Sequence, residues 1–109
     1  MTEQALFILA SLALGELHGY GIAQDVEELS GGQVRLTAGT LYGALNRLAD
    51  DGLVAQSRED IVEGRRRRYY RLTAAGQAAL GAETARLQSV AAALGSRSGV
   101  RPTRKPRLA

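Results

Sequence analysis

Four consecutive arginines, Arg65, Arg66, Arg67 and Arg68, followed by Arg71, are the densest chemistry in the chain. Guanidinium forks match phosphate and carboxylate oxygens two at a time, so such a run suits contact with an anionic surface. Upstream, Thr37-Ala38-Gly39-Thr40-Leu41-Tyr42-Gly43-Ala44-Leu45-Asn46-Arg47-Leu48 offers chemistry of a second kind. As a helix it stacks Leu41, Leu45 and Leu48 in one apolar stripe and leaves Thr40, Tyr42, Asn46 and Arg47 outward. Thr37 is a good N-cap, and the free backbone N–H groups behind it form a seat for a phosphate. Ala38, Gly39, Gly43 and Ala44 keep the outer face low enough for another surface to come close. Hydrogen-bonding side chains on a low helical face are the profile of a helix that docks in a DNA major groove.

Composition excludes most other chemistry. The chain has 109 residues, enough for one domain, with no cysteine and a single histidine, His18. Disulfides, thiolate metal sites and cysteine nucleophiles are therefore absent, and the lack of cysteine is compatible with a reducing cytoplasm. No nucleophile–base pair, metal-ligand cluster or phosphate loop is visible, so neither an enzyme nor a cofactor is expected. His18 reads as a turn or capping residue. The formal net charge is +3, and Arg97, Arg101, Arg104, Lys105 and Arg107 of the acid-free end exceed it, so the rest of the chain is slightly acidic even with the arginine run included. A local basic patch on a near-neutral body is the electrostatic footprint of a groove-reading domain.

The elements that must position this chemistry follow in order. Ala5 to Leu14 is apolar except for Ser11, too short to span a bilayer and without the basic flank of a signal peptide. A helix apolar nearly all round must be covered nearly all round, which points to a second subunit. Gly15 to Gly19 is a break. A second helix follows with Ile22, Val26 and Leu29 as its buried stripe, and Ser30-Gly31-Gly32 stops it. Gln33 to Leu36 leads in extended form to the Thr37 helix, which should run to about Asp51 with Gly52 as a left-handed cap. Leu53 to Glu59 and Arg66 to Leu72 read as strands joined by a loop over 60–64, with Tyr70 and Leu72 facing the core and Arg67, Tyr69 and Arg71 facing away. Thr73 caps a last helix from Ala74 to about Leu94, in which Leu80, Thr84, Leu87, Ala91 and Leu94 form a lengthwise packing seam.

Four stretches carry a family resemblance: His18-Gly19-Tyr20-Gly21-Ile22 after the apolar first helix; Gly39-Thr40-Leu41-Tyr42-Gly43-Ala44-Leu45; Arg47-Leu48-Ala49-Asp50-Asp51-Gly52-Leu53-Val54; and Arg68-Tyr69-Tyr70-Arg71-Leu72-Thr73-Ala74-Ala75-Gly76. In this order and spacing the chain resembles the PadR family of bacterial transcriptional regulators over roughly Ala5 to Leu94. The resemblance implies a homodimeric repressor of its own or a neighbouring operon. It also implies release from an inverted-repeat operator when a small-molecule effector alters the dimer. It maps Gly39, Thr40, Tyr42, Asn46 and Arg47 to helix contacts with DNA and Arg65 to Arg68 to wing contacts; Thr37, at the helix start, joins the expected DNA-binding helix residues. Gly43 stands where many relatives have proline, and the single C-terminal helix matches the short branch of the family.

The expected architecture is mainly α with a small β-hairpin. Residues 1–73 form a winged helix-turn-helix domain, 74–95 a C-terminal dimerisation helix and 96–109 a disordered basic tail. Leu6, Leu9 and Ala13 of the first helix, with Leu80, Leu87, Ala91 and Leu94 of the last, are the expected dimer interface. The expected partners are double-stranded DNA bearing a pseudo-palindromic operator, a second copy of the chain and an unnamed effector, in the cytoplasm and without a membrane. The competing reading is a winged-helix protein-interaction module that lacks specific DNA binding.

Overall fold

A computed structural model describes residues 1–99. Helix α1 spans Glu3–Ser11 and begins where Thr2 Oγ1 accepts the N–H of Ala5 at 3.1 Å. A two-residue strand, β1 (Leu17–His18), leads into α2 (Gly19–Leu29), and α3 (Ala38–Asp50) completes the helical body. Strands β2 (Val54–Val62) and β3 (Arg65–Leu72) form the hairpin, and α4 (Ala74–Ser98) follows.

Each main helix begins on the residue type the physics requires. Thr37 Oγ1 accepts the N–H of Thr40 at 3.2 Å, and Thr73 Oγ1 accepts that of Gly76 at 3.0 Å. His18 caps α2 through Nδ1, which accepts the N–H of Gly21 at 3.1 Å. Each bond satisfies one of the orphan donors of a helix's first turn. At the far end of α3, Gly52 adopts φ 75°, the left-handed stop expected there.

The core is one cluster to which every layer contributes: Ile8, Leu9 and Leu12; Ile22 and Val26; Val34; Leu41, Ala44, Leu45 and Leu48; Val54 and Tyr70. The leucine stripe of α3 thus faces inward as its spacing requires, and Tyr70 closes the core from β3.

Several expectations need correction. Helix α1 ends at Ser11, and Leu14 is fully exposed. Leu29, expected in the buried stripe of α2, is 53% exposed, because the helix reaches its last turn beyond the edge of the core. Ala44 is buried rather than outward: it lies three residues after Leu41 and beside Leu45, inside the apolar sector. The break before α2 contains β1, which pairs antiparallel with β3 through Leu17↔Tyr70 and His18↔Tyr69 and makes the sheet three-stranded among the described residues, in the order β1-β3-β2. The expected loop over 60–64 shrinks to a two-residue turn. Val62 pairs with Arg65, and Glu63 (φ 52°) and Gly64 (φ 75°) supply the two positive φ angles that a tight hairpin turn demands. At the other end, Ser96, Arg97 and Ser98 extend α4 instead of beginning the tail, and Gly99 ends the helix at φ 77°. The expected disorder of 100–109 lies outside the described residues.

Helix α4 touches α1 and β3 only through its first turns. Leu80 packs on the core, Glu83 meets the Met1 amino group at 3.5 Å, and from Thr84 to Leu94 every residue is exposed. The principal extents, 54 × 28 × 26 Å, reflect a helix standing out from its body.

Candidate nucleic-acid interface

Two elements carry the exposed polar chemistry, the outward face of α3 and the β2–β3 wing. On α3, Gly39, Thr40, Tyr42, Asn46 and Arg47 are exposed, as is the cap residue Thr37. The Thr37 hydroxyl also donates to Thr40 Oγ1 at 2.9 Å, which holds the Thr40 side chain in one orientation at the helix start. A Cβ built at Gly39 or Gly43 meets nothing within 4 Å. Glycine inside a helix costs about 1 kcal/mol relative to alanine. No neighbour within the chain needs that space, so the opening is available to whatever docks on the helix. Tyr42 is less free than its spacing suggests: it is 40% exposed and rests on Gly19, the first residue of α2.

The wing is an electrostatic device with two faces. Arg66 and Arg68 share one face of β3 with Glu59, the cross-strand partner of Arg68; their Nε atoms stand 3.9 and 3.6 Å from its carboxylate oxygens. On the opposite face Arg67 is half-buried, with its guanidinium carbon 5.8 Å from the centre of the Tyr20 ring. Its Nε is buried and has no hydrogen-bond partner among the described residues. Arg67 therefore leans toward the start of α2, whereas Arg65, Arg66 and Arg68 are exposed.

Below Arg67 lies a cluster that sequence reasoning missed. A β-bulge at Ser57 interrupts the register between Gln56 and Arg58. It lets successive side chains reach the same carboxylate: Ser57 Oγ donates to Glu16 Oε2 and Arg58 Nε to Glu16 Oε1, both at 2.6 Å. These two bonds hold the Glu16 carboxyl below the usual carboxylate range, and the Glu16 bond in turn raises the Arg58 guanidinium. Arg58 also lies 3.8 Å over the Tyr69 ring, whose other side meets His18 edge-on at 5.3 Å. Burial, and then the positive charge of Arg67, push the His18 imidazole down from its ordinary value. The cluster ties β1, β2 and β3 together beneath the wing. No sequence signal announces it, since Glu16 and Arg58 are far apart in the chain and neither belongs to a motif.

Of the residues expected at a dimer interface, Leu87 and Leu94 are exposed at 40% and 64%, Ala13 and Ala91 are exposed, and Leu6 and Leu80 are half-buried. Leu9 is fully buried within its own chain, between α1 and the rest of the core. It serves the fold and is not available to a partner. Val90, 41% exposed, lies on the projecting part of α4 with Leu87 and Leu94.

A helical body, an antiparallel wing and a projecting C-terminal helix define a winged helix-turn-helix protein, and comparison with known proteins makes the class specific. The model of the PadR-like family of transcriptional regulators matches residues 8–82, and the chain belongs to that family. It is 44% identical over 86 residues to a transcriptional regulator of Mycobacterium tuberculosis, an alignment covering 79% of this chain and 77% of that one. Among solved structures, a PadR family regulator of Clostridium difficile superposes with a TM-score of 0.74 at 24% identity, over 87% of this chain and 97% of that one. Bacillus subtilis PadR, solved in complex with operator DNA, matches with a TM-score of 0.67 at 24% identity, over 100% of this chain and 53% of that one. The family consists of transcription factors rather than enzymes. Among the described residues, no helix is long and apolar enough to cross a membrane, and no group of side chains could hold a metal ion.

Proposed function

We propose that the chain is a homodimeric, sequence-specific DNA-binding regulator, placing α3 in the major groove and the wing on the adjacent phosphate backbone. The observation that carries this is the exposed polar face of α3, open at Gly39 and Gly43, in a chain whose wing exposes three arginines. The Bacillus subtilis relative crystallised with operator DNA shares the fold, which supports the same use of the surface. Thr40 and Asn46 are the base readers: a threonine hydroxyl suits either partner of a base pair, and an asparagine amide can bond adenine in two places. Thr37, Gly39, Tyr42 and Arg47 contact or approach the backbone, and the wing arginines hold phosphates.

Two copies joined along Leu87, Val90 and Leu94 would present two reading helices about 34 Å apart, so the operator is a pseudo-palindrome. The protein acts in the cytoplasm as a repressor of its own or a neighbouring operon. An effector lodged between the α1 and α4 helices of two subunits would change the spacing of the reading helices, and by linkage DNA would weaken effector binding equally. Phe7 is the only aromatic residue of α1 and α4. A flat aromatic effector would therefore find little stacking partner there.

The test is fluorescence anisotropy with labelled DNA from upstream of the gene and a shuffled control, each at two salt concentrations. Tight binding to the native fragment with weak, steeply salt-sensitive binding to the control is expected. Equal weak binding to both would overturn sequence-specific regulation and favour a protein-interaction module.

A further inference from the structure

Two of the four wing arginines, Arg66 and Arg68, already face a carboxylate. Glu59 stands directly opposite Arg68 in the β2–β3 ladder, and Arg66, two residues nearer the turn on the same face, leans toward the same side chain. The carboxylate oxygens lie 3.6 and 3.9 Å from the two Nε atoms. A carboxylate and a phosphate present the same kind of oxygen pair to a guanidinium fork, so Glu59 engages the same two guanidinium groups that a phosphate could. The other acid of this strand is differently engaged. Asp60 accepts from Arg58 Nη1 at 3.1 Å and from the N–H of Ile61 at 2.8 Å, and so leaves Arg67 without a carboxylate. Arg65 and Arg67 have no ion pair among the described residues.

We infer that Glu59 is an internal stand-in for phosphate that throttles the wing's grip on polyanions, any DNA backbone among them. The inference rests on the DNA-binding function proposed above. Its pairs with Arg66 and Arg68 are part of the free protein and must be given up when the wing engages a polyanion. Because the exchange involves only backbone charge, it lowers affinity for every sequence by the same factor. The wing also carries one less effective positive charge than its arginines provide, so fewer counterions are released on binding.

Glu63 supplies the control. It is exposed, lies in the adjacent turn and has no ion pair among the described residues, so Glu63→Gln makes the same charge change without touching the pairs. Glu59 is itself exposed, so Glu59→Gln is expected to fold like the parent, which thermal unfolding checks. In the anisotropy assay Glu59→Gln should tighten binding to native and shuffled DNA alike, by roughly twofold to fivefold, the range for releasing exposed ion pairs. It should also steepen the log–log salt dependence by up to about 0.9. Glu63→Gln should do distinctly less. Equal gains from the two variants would overturn the inference in favour of simple net charge, and a loss of affinity in Glu59→Gln would show that Glu59 positions the arginines rather than competing for them. Elution from immobilised heparin separates the inference from the function beneath it. Later elution of Glu59→Gln than of Glu63→Gln, with no DNA binding by any form, would sink the regulator and leave the throttle standing. Unchanged elution and unchanged DNA binding would sink the throttle alone.

Discussion

Tyr42 of α3 rests so closely on Gly19 of α2 that a β-carbon at residue 19 would collide with its hydroxyl and its ring carbon. The glycine is thus the floor on which the exposed aromatic side chain of α3 is set. Because the colliding atoms are the tip of a side chain 40% exposed, Tyr42 can swing away. Gly19→Ala is therefore expected to cost at most about 1 kcal/mol of stability while weakening DNA binding. Thermal unfolding and anisotropy on the same preparation check both halves; unchanged DNA affinity would show that Tyr42 does not need this seat.

Gly76 presents the opposite case. A β-carbon there would strike the backbone carbonyl of Leu53 and lie 2.7 Å from Leu72 Cδ1, at the join of α4 with the hairpin. Backbone cannot swing away. Gly76→Ala should destabilise the fold by about 1–3 kcal/mol, read as a drop in Tm against the parent, without any direct effect on the DNA-facing surface.

The proposed base readers and phosphate holders separate by their salt behaviour. Asn46→Ala should reduce discrimination between operator and control by about 1–3 kcal/mol and leave the salt slope nearly unchanged. Arg65→Ala should weaken both DNAs together and flatten the slope by about 0.9 for one lost phosphate contact. The reverse pattern in either variant would reassign that residue.

His18 makes stability depend on pH in a defined direction. Burial and Arg67 hold its folded value below the ordinary imidazole value of about 6.5. Between the two values the unfolded chain binds a proton that the folded chain refuses, so stability is complete above the ordinary value and falls as acid is added. A proton on Nδ1 would also break the cap to Gly21. The loss is small because the ring is only partly buried, and Tyr20, Tyr69 and Arg67 are the groups that face it. His18→Asn keeps a capping oxygen and should remove this component between pH 7 and 5, as shown by urea unfolding at both pH values.

Exposed leucines on a projecting helix give the proposed dimer a direct test. Leu87→Glu with Leu94→Glu changes side chains that lie outside the core and are 40% and 64% exposed, so the subunit should fold while the dimer dissociates. Sedimentation velocity would then show a monomer, and operator affinity should fall because two half-sites are no longer linked. A dimer that survives both changes would place the interface elsewhere.

The sequence by itself determined whatever depends on near neighbours. Thr37 and Thr73 were legible as caps because a capping bond reaches only three residues forward, and His18 as a cap or turn for the same reason. Leu41, Leu45 and Leu48 were legible as a core stripe because helical period alone assigns their face. Tertiary structure decided everything that joins distant stretches. It drew Leu17 and His18 into a third strand, brought Glu16 to Ser57 and Arg58 across a bulge, and sank Leu9 in its own core while leaving Leu29 outside. It also packed Arg67 toward Tyr20 while leaving Arg65, Arg66 and Arg68 exposed. The physical reason is one of range: caps and stripes are set by the rise and period of a single element, whereas pairing, bulges and burial are set by which elements the folded chain brings into contact.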